Sequence, residues 1–248
     1  MSDLSGRTTI VVGASRGLGR GIALALAEAG APVIAVARRG AALAELRSAN
    51  ANIRTEVADA SDGNVAGSLL DRYKPEAVIL VAGASPHIRS LQDQTWETFS
   101  VNWHADVRIA FYWLRETLRK PLRPGSRVIV ISSGAAVAGS PLSGGYAGAK
   151  ATQRFITGYA QEETTRAGMD ITFTAVLPQI TPLTDLGLPA VRAYAARNRQ
   201  SEEEYLQRMG EPLTPEVAGE ALVELIQTDA ATLAASYRLT GAGLVDLP

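Results

Sequence analysis

The sequence of 248 residues contains no cysteine. This absence excludes a disulfide scaffold, thiolate catalysis and cysteine metal sites, and it favours a reducing compartment, so we expect a cytoplasmic protein. An excess of charge of one sign is also missing, because 24 basic residues stand against 25 acidic ones. A near-neutral chain argues against a basic surface for nucleic acid, so we predict no nucleic-acid partner.

Long hydrophobic runs are missing too. The apolar stretch 22–37 is interrupted by Glu28, Gly30 and Pro32, whereas a membrane-spanning helix needs about 20 consecutive apolar residues. The first residues lack the charged segment followed by an apolar one that marks a signal peptide. We therefore expect neither a secretion signal nor a membrane partner. Hydrophobic residues make up 46% of the chain, which is ordinary for a globular protein with one sizeable core.

Short runs rich in valine and isoleucine alternate along the chain with longer segments of helical periodicity. This alternation is typical of β-α-β units, and strands this apolar require a parallel sheet that is buried on both faces. We therefore predict an α/β fold: a doubly wound parallel sheet (Rossmann fold) of about seven strands, with helices on both faces, in a single domain over residues 1–248. The predicted strands are 8–12, 33–37, 53–57, 77–81, 127–131, 171–176 and 233–239.

Three segments have clear helical signals. Apolar residues in 18–29 share one helical face, and apolar steps of three and four predict one long helix over 96–118. Thr214 as N-cap and Pro215 as the first helical residue predict another helix near the end. The less regular segment 178–212 follows the sixth strand at the edge where such sheets bind ligands, so we predict that it forms a substrate lid.

A glycine-rich turn links the first predicted strand to the first predicted helix. Its first glycine permits a tight turn, its second lets the backbone approach a pyrophosphate, and its third lets helix and strand pack closely. The N–H groups at the start of the helix would face the anion. The spacing is GxxxGxG, not the usual GxGxxG, so a tight turn without a ligand stays an alternative. The predicted phosphate-binding residues are Gly13, Ser15, Arg16, Gly17, Leu18 and Gly19.

The same turn also matches G-x-S-x-G, the nucleophile elbow of serine hydrolases, with Ser15 as the nucleophile. Such a site needs an acid and then a histidine later in the chain, but more than half of the sequence follows His87 and His104, the two histidines. A hydrolase is therefore a remote alternative. Neither histidine has a partner at ligand spacing, so we predict no metal site.

The second predicted strand runs into Arg38 and Arg39. A carboxylate at this place would bind the adenosine ribose of NAD, whereas an arginine can pair with the 2′-phosphate of NADP. Arg38, with Arg16 nearby, therefore favours NADP(H), unless both arginines simply end the strand in solvent. Asp59, after the third strand, is a candidate for contact with the adenine edge or for a helix N-cap.

Tyr146 and Lys150 are four residues apart in the segment after the fifth strand, and Ser133 follows that strand directly. This spacing places the tyrosine and the lysine on one helix face. A lysine ammonium near a phenol favours its ionised form, so the phenol can exchange a proton at neutral pH. Ser133 would bind the substrate oxygen, and Asn102 in the long helix would hold a water that connects Lys150 to solvent. A tyrosine and a lysine four residues apart also occur by chance on surface helices, so a purely structural role for this pair is the alternative.

Taken together, these residues resemble the compact form of the short-chain dehydrogenase/reductase family over nearly the whole chain. The serine lies thirteen residues before the tyrosine of a Tyr-x-x-x-Lys motif. The resemblance rests on Gly13, Gly17, Gly19, Asp59, Ala82, Gly83, Asn102, Ser133, Tyr146 and Lys150.

The resemblance implies a role for each catalytic position. Tyr146 would be the general acid/base, Lys150 would tune it and bind the nicotinamide ribose, Ser133 would bind the carbonyl, and Asn102 would serve the proton relay. Further cofactor contacts are implied for Ala82, Gly83, Tyr146, Lys150, Pro178 and Ile180.

We therefore predict hydride transfer between NADP(H) and a small-molecule carbonyl or secondary alcohol. Gln179 departs from the family, which usually has glycine after the proline, and it suggests the alternative of a non-catalytic NADP(H)-binding sensor or scaffold. The resemblance also implies a homodimer or homotetramer built on the helices around 96–118 and 147–167. The apolar faces of these helices would otherwise be buried against the sheet.

Overall fold

The computed structural model describes residues 3–247, so Met1, Ser2 and Pro248 of the predicted domain lie outside the described residues. Eight strands form one sheet in the order β3-β2-β1-β4-β5-β6-β7-β8. They are β1 (Thr9–Val12), β2 (Val33–Ala37), β3 (Ile53–Val57), β4 (Ala77–Leu80), β5 (Ser126–Ile131), β6 (Ile171–Pro178), β7 (Ser236–Thr240) and β8 (Gly243–Leu247).

The strand order reverses at β1, which pairs in parallel with β2 on one side and with β4 on the other. Val12, the last residue of β1, lies opposite Val36 of β2 and Leu80 of β4. The three strands therefore end at the same level. Ligands of open α/β sheets bind outside the carboxyl ends of the strands at such a reversal.

Helices cover both faces of the sheet. Alternate residues of a strand point to opposite sides, and consecutive residues of the central strands are apolar, so both faces must be buried. Val11 of β1 belongs to one buried cluster, and Ile10 and Val12 belong to the other. Helices α1, α2 and α10 pack on the first face, and α3, α5 and α7 pack on the second. The helices are α1 (Gly17–Glu28), α2 (Gly40–Ala49), α3 (Gly63–Tyr73), α4 (Trp96–Asn102), α5 (Arg108–Arg119), α6 (Ala135–Ala138), α7 (Gly144–Arg166), α8 (Gly187–Arg197), α9 (Glu202–Met209) and α10 (Pro215–Gln227).

The sheet has one strand more than the seven predicted. β8 pairs antiparallel with β7 across a short turn that reaches Gly243, whose φ is +102°. As the last strand in the order, β8 pairs on one side only and is partly exposed along its length. Its sequence therefore lacks the apolar run that identifies the central strands.

The predicted long helix forms, but it is not regular. α4 and α5 are joined without a break by a π-helical segment, Trp103–Val107. A π turn holds one residue more than an α turn, so the apolar face changes position along the helix. Trp113 is fully buried against the sheet, whereas Phe111, which the sequence pattern places on the same face as Leu114, is half exposed.

The last long helix, α10, begins as the sequence predicts. The side chain of Thr214 accepts a hydrogen bond from the N–H of Val217, and Pro215 opens the helix. The segment 178–212 contains α8 and α9. Within residues 3–247, no helix combines the length and the apolarity needed to cross a bilayer.

Candidate active site

A cavity of about 780 Å³ opens at the carboxyl ends of β1, β2, β4, β5 and β6, where the strand order reverses. It reaches from the glycine turn to α8 and α9. The predicted site residues that line it are Gly13, Ser15, Arg16, Gly17, Leu18, Gly19, Arg38, Asp59, Ala82, Gly83, Ser133, Tyr146, Lys150, Pro178 and Ile180.

The glycine turn has no room for side chains at two of its positions. A Cβ on Gly19 would overlap the carbonyl oxygen of Gly13, and a Cβ on Gly13 would lie 2.5 Å from the backbone nitrogen of Ala82. Gly13 also has φ +95°, which residues with a side chain rarely adopt. The start of α1 therefore lies close against the ends of β1 and β4.

The N-terminus of α1 opens into the cavity. Its N-cap residue, Arg16, makes no side-chain hydrogen bond to the first N–H groups of the helix. These donors and the positive end of the helix dipole are therefore available to an anion. This arrangement fits the pyrophosphate of a dinucleotide cofactor.

Charged side chains follow β2 and β3 at the same end of the sheet. Arg38 is exposed where β2 ends. Oδ1 of Asp59 accepts hydrogen bonds from the N–H (2.9 Å) and the hydroxyl (2.8 Å) of Ser61. These bonds, followed by the charge of Arg38, hold the pKa of Asp59 below its usual range. The N-cap of α3 is Asp62, so the alternative prediction that Asp59 caps this helix is wrong.

Ser133, Tyr146 and Lys150 line the cavity from β5 and α7. Nζ of Lys150 lies 5.5 Å from the centroid of the Tyr146 ring, within the range of a cation–π contact. Oγ of Ser133 accepts a hydrogen bond from the N–H of Ala135 at 3.2 Å, which leaves its own proton for a ligand. The hydroxyl of Ser132 donates to the carbonyl oxygen of Lys150 at 2.8 Å and so connects β5 to α7.

Asn102 is the predicted site residue that does not line the cavity. It is 1% exposed, and its Nδ2 donates to the carbonyl oxygen of Ala84 (2.7 Å) and to Oδ1 of Asp106 (3.2 Å). Oδ2 of Asp106 lies 3.2 Å from Nζ of Lys150. Asp106, which sequence reasoning missed, therefore makes the contact with Lys150, and Asn102 lies against it.

One wall of the cavity contains two tyrosines that the sequence pattern did not single out. Tyr194 of α8 and Tyr205 of α9 are nearly parallel, with ring centroids 6.4 Å apart. The hydroxyl of Tyr194 is hydrogen-bonded to Oγ of Ser140, which lies 2.6 Å from Oγ of Ser143. Burial raises the pKa of Tyr205, so its phenol is neutral at physiological pH. This wall offers flat apolar surfaces with a few hydroxyl groups.

Gln179 also lines the cavity, but its amide is occupied. Nε2 donates to the carbonyl oxygen of Glu211 at 2.7 Å. The backbone N–H of Gln179 donates to the carbonyl oxygen of Leu239 in β7. The long side chain is therefore held by the segment before α10.

Neither histidine lines the cavity that Ser15 lines, and both are exposed. Ser15 consequently has no histidine base within this cavity. Among residues 3–247, no group of three His, Asp or Glu side chains is arranged to hold a metal ion.

The sequence pattern of a known family extends over most of these elements. The family model described as short chain dehydrogenase matches residues 7–193. The chain belongs to the short-chain dehydrogenase family. The match runs from the residues before β1 into α8, so it includes the glycine turn, β5 and α7.

Relatives in this family agree with that assignment. Versicolorin reductase of Emericella nidulans is 30% identical over 223 residues, which are 86% of this chain and 83% of that protein. The chloroplastic NADPH-dependent aldehyde reductase 2 of Arabidopsis thaliana is 29% identical over 71% of this chain and 72% of that protein. In two further relatives the aligned region is shorter, and it spans only 56% and 57% of their lengths.

A solved structure shares the fold. A dehydrogenase/reductase from Sinorhizobium meliloti 1021 superimposes with a TM-score of 0.79 over 96% of this chain and 95% of that chain. The two sequences are 23% identical. This likeness therefore concerns the fold of the family.

Proposed function

We propose that this member of the short-chain dehydrogenase family is an NADP(H)-dependent oxidoreductase that acts on a carbonyl or secondary alcohol. The observation that carries the proposal is that Ser133, Tyr146 and Lys150 line the same cavity as the uncapped start of α1. Bound NADP(H) would supply or accept the hydride. A relative that reduces aldehydes with NADPH, in the words of its name, agrees with this choice of cofactor.

Each proposed catalytic group has a separate task in carbonyl reduction. Ser133 donates its hydroxyl proton in a hydrogen bond to the substrate oxygen, on which negative charge develops. Tyr146 transfers its phenolic proton to that oxygen as general acid. The Lys150 ammonium stabilises the negative charge that is left on the tyrosine oxygen. In alcohol oxidation, Tyr146 removes the proton instead.

The proposed cofactor contacts are divided along the cavity. The start of α1 would hold the pyrophosphate, Arg38 with Arg16 would hold the 2′-phosphate, and Asp59 would contact the adenine. Lys150 would bind the nicotinamide ribose. The remaining proposed contacts come from Gly13, Ser15, Gly17, Leu18, Gly19, Ala82, Gly83, Tyr146, Pro178 and Ile180.

Replacing Arg38 with aspartate tests the choice between NADP and NAD. The substitution removes the cation that would pair with the 2′-phosphate and adds a carboxylate that repels it, so NADPH should bind about 100-fold more weakly. The affinity for NADH should fall less than threefold or should rise, because a carboxylate can accept hydrogen bonds from the ribose hydroxyls. The dissociation constants of both cofactors, measured by fluorescence titration, give the answer.

Arg47→Asp is the matched control for this substitution. Arg47 is exposed in the last turn of α2, about 10 Å along the helix from its start beside Arg38. The substitution Arg47→Asp changes the net charge by the same amount as Arg38→Asp, but Arg47 does not line the cavity. An equal loss of NADPH and NADH affinity in Arg38→Asp, or a similar loss in Arg47→Asp, would contradict the 2′-phosphate contact.

We propose that the segment 178–212 is a lid over the cavity of a single-domain protein. Asp185 of this segment forms an ion pair with Arg16 of the glycine turn at 3.1 Å. The Arg16 side chain is 49% exposed, and the Asp185 side chain is 75% exposed. Exposed ion pairs contribute at most about 1 kcal/mol, so this contact would oppose opening of the segment only weakly.

Limited trypsin digestion tests the lid. Arg192, Arg197 and Arg199 are exposed on or directly after α8. We expect saturating NADP⁺ to slow cleavage at these sites about tenfold, because a ligand that binds the closed form shifts the population towards it. Cleavage at exposed Arg54 on β3 should not change. Equal protection at all sites would contradict local closure.

We also propose a homodimer or homotetramer, and the absence of cysteine fits a cytoplasmic location. Four large apolar side chains on these helices remain exposed. They are Trp103 directly after α4, Phe111 in α5, and Phe155 and Tyr159 in α7. The alternative that these apolar faces are fully buried against the sheet therefore does not hold for these four side chains. Exposed apolar side chains on helices that contact each other, as these do, are typical of association surfaces. Light scattering coupled to gel filtration measures the assembly.

A further inference from the structure

Asp106 is a buried acid that no motif in the sequence singles out. It lies in the π-helical segment between α4 and α5 and is 1% exposed. Oδ1 accepts hydrogen bonds from the N–H of Ala84 at 2.8 Å and from Nδ2 of Asn102 at 3.2 Å. Oδ2 has no hydrogen-bond donor among the described residues. The charge at Oδ2 is instead compensated by the Lys150 ammonium, 3.2 Å away.

The close approach of this carboxylate depends on Gly83 after β4. A Cβ on Gly83 would lie 2.6 Å from Oδ2 of Asp106. The π turn brings the carboxylate to this position, because it adds one residue before α5 begins. The end of β4 and the long helix therefore meet at a polar part of the cavity wall, which Gly83, Asp106 and Lys150 line.

Lys150 faces Asp106 in this part of the cavity wall. Its side chain is 6% exposed, and Nζ donates to the carbonyl oxygen of Ile131 (3.2 Å) and to Oε1 of Gln153 (2.9 Å). Nε2 of Gln153 donates in turn to the backbone carbonyl of Asp106 at 2.9 Å. The titratable groups that face Nζ are Asp106 and Tyr146, whereas the contacts from β5 and from Gln153 are neutral.

A buried ammonium surrounded by neutral oxygens is costly, and burial alone favours the neutral amine. The carboxylate of Asp106 removes most of that cost, because a buried charge is stable when an opposite charge and hydrogen bonds accompany it. The proposed task of Lys150 next to Tyr146 requires the positive charge. We propose that Asp106 is a positioning residue that keeps Lys150 charged and fixes its Nζ beside the Tyr146 ring. The catalytic consequence of this proposal rests on the proposed function, but the charge state itself does not.

The composition of the chain allows a direct measurement. It has three lysines, Lys74, Lys120 and Lys150. Protein labelled with ¹⁵N-lysine therefore gives three side-chain signals in an NMR spectrum, and Lys150→Arg assigns one of them. In the parent protein we expect the Lys150 signal to have the shift of an ammonium throughout about pH 6 to 9. In Asp106→Asn we expect it to move to the shift of a neutral amine within this range.

An exposed ion pair in the same chain supplies the control. Lys120 pairs with Asp71 on the surface. In Asp71→Asn the Lys120 signal should remain that of an ammonium, because solvent replaces the lost carboxylate. A Lys150 signal that remains an ammonium in Asp106→Asn would overturn the proposal.

A rescue variant separates the charge of Asp106 from its hydrogen bond to Ala84. Gln153→Glu places a carboxylate on another group that contacts Nζ, at the cost of the hydrogen bond to the backbone of Asp106. We expect Asp106→Asn/Gln153→Glu to recover the ammonium signal. If Asp106→Asn alone does not fold, a folded double variant with an ammonium at Lys150 supports the proposal. A double variant that fails to fold while Gln153→Glu folds contradicts it.

Turnover gives the second readout. We expect Asp106→Asn to lower kcat for NADPH-dependent carbonyl reduction about 100-fold with KM changed less than threefold, and we expect the double variant to recover most of the rate. Parent protein that reduces no carbonyl compound would reject the proposed function and leave the NMR result intact. An active parent protein with an unchanged kcat in Asp106→Asn would reject the role of Asp106.

Discussion

Replacing Tyr146 with phenylalanine is expected to lower kcat for carbonyl reduction at least about 10³-fold, because general acid catalysis contributes roughly 10² to 10⁴. The substitution removes one oxygen atom from a half-buried side chain that lines the cavity. The ring that faces Nζ of Lys150 remains. The dissociation constant of NADPH should therefore change less than threefold. Steady-state kinetics with a panel of aldehydes and ketones, together with fluorescence titration of NADPH, measures both quantities.

Tyr159→Phe is the control on the same helix. Tyr159 is 55% exposed on α7 and does not line the cavity, and the substitution keeps the apolar ring of the proposed association surface, so loss of the hydroxyl should not affect turnover. A Tyr146→Phe protein that keeps a rate near that of the parent would remove Tyr146 from the proton transfer. Loss of NADPH binding in parallel with the rate would instead make the tyrosine a cofactor contact only.

The central strands and the helices with caps could be predicted because their signals are local. β2 and β3 have the predicted bounds, and Thr214 caps α10 as its sequence indicates. A fully buried parallel strand needs an apolar run whatever its neighbours are. β8 has no such run, because an edge strand is partly exposed and is defined by its pairing with β7. That pairing depends on tertiary contacts that no short window contains.

The candidate site was predictable where backbone conformation or short spacing defines it. The glycine turn and the pair four residues apart belong to this class. Asp106 does not, because an acid in a helix is most often a solvated residue. Only the π turn and the absence of a side chain at Gly83 bring it to Lys150. The tyrosines of α8 and α9 escaped prediction for the same reason, since their place on the cavity wall depends on how the two helices pack.

Replacing Gly19 with alanine should disrupt the phosphate-binding turn more than any change of side-chain chemistry in it. The added Cβ would overlap the carbonyl oxygen of Gly13, which belongs to the backbone and cannot rotate away. α1 must then move away from β1, although Ile22 and Leu26 of this helix are fully buried in the core. Steric insertion into a packed interior costs about 1–3 kcal/mol and occasionally more. We expect a loss of at least about 3 kcal/mol and no measurable NADPH binding.

Gly158→Ala supplies the opposite result with the same chemical change. Gly158 lies inside α7, and a Cβ at this position would meet no atom within 4 Å apart from the adjacent residues and backbone of its own helix. Alanine is favoured over glycine in a helix interior by about 0.5–1 kcal/mol, so this variant should be more stable than the parent protein. Urea denaturation measures the free energy of unfolding of both variants. If Gly19→Ala were as stable as the parent and bound NADPH normally, the start of α1 would not need its close contact with β1. The phosphate site would then depend on side chains such as Arg16, because the backbone geometry alone would not explain it.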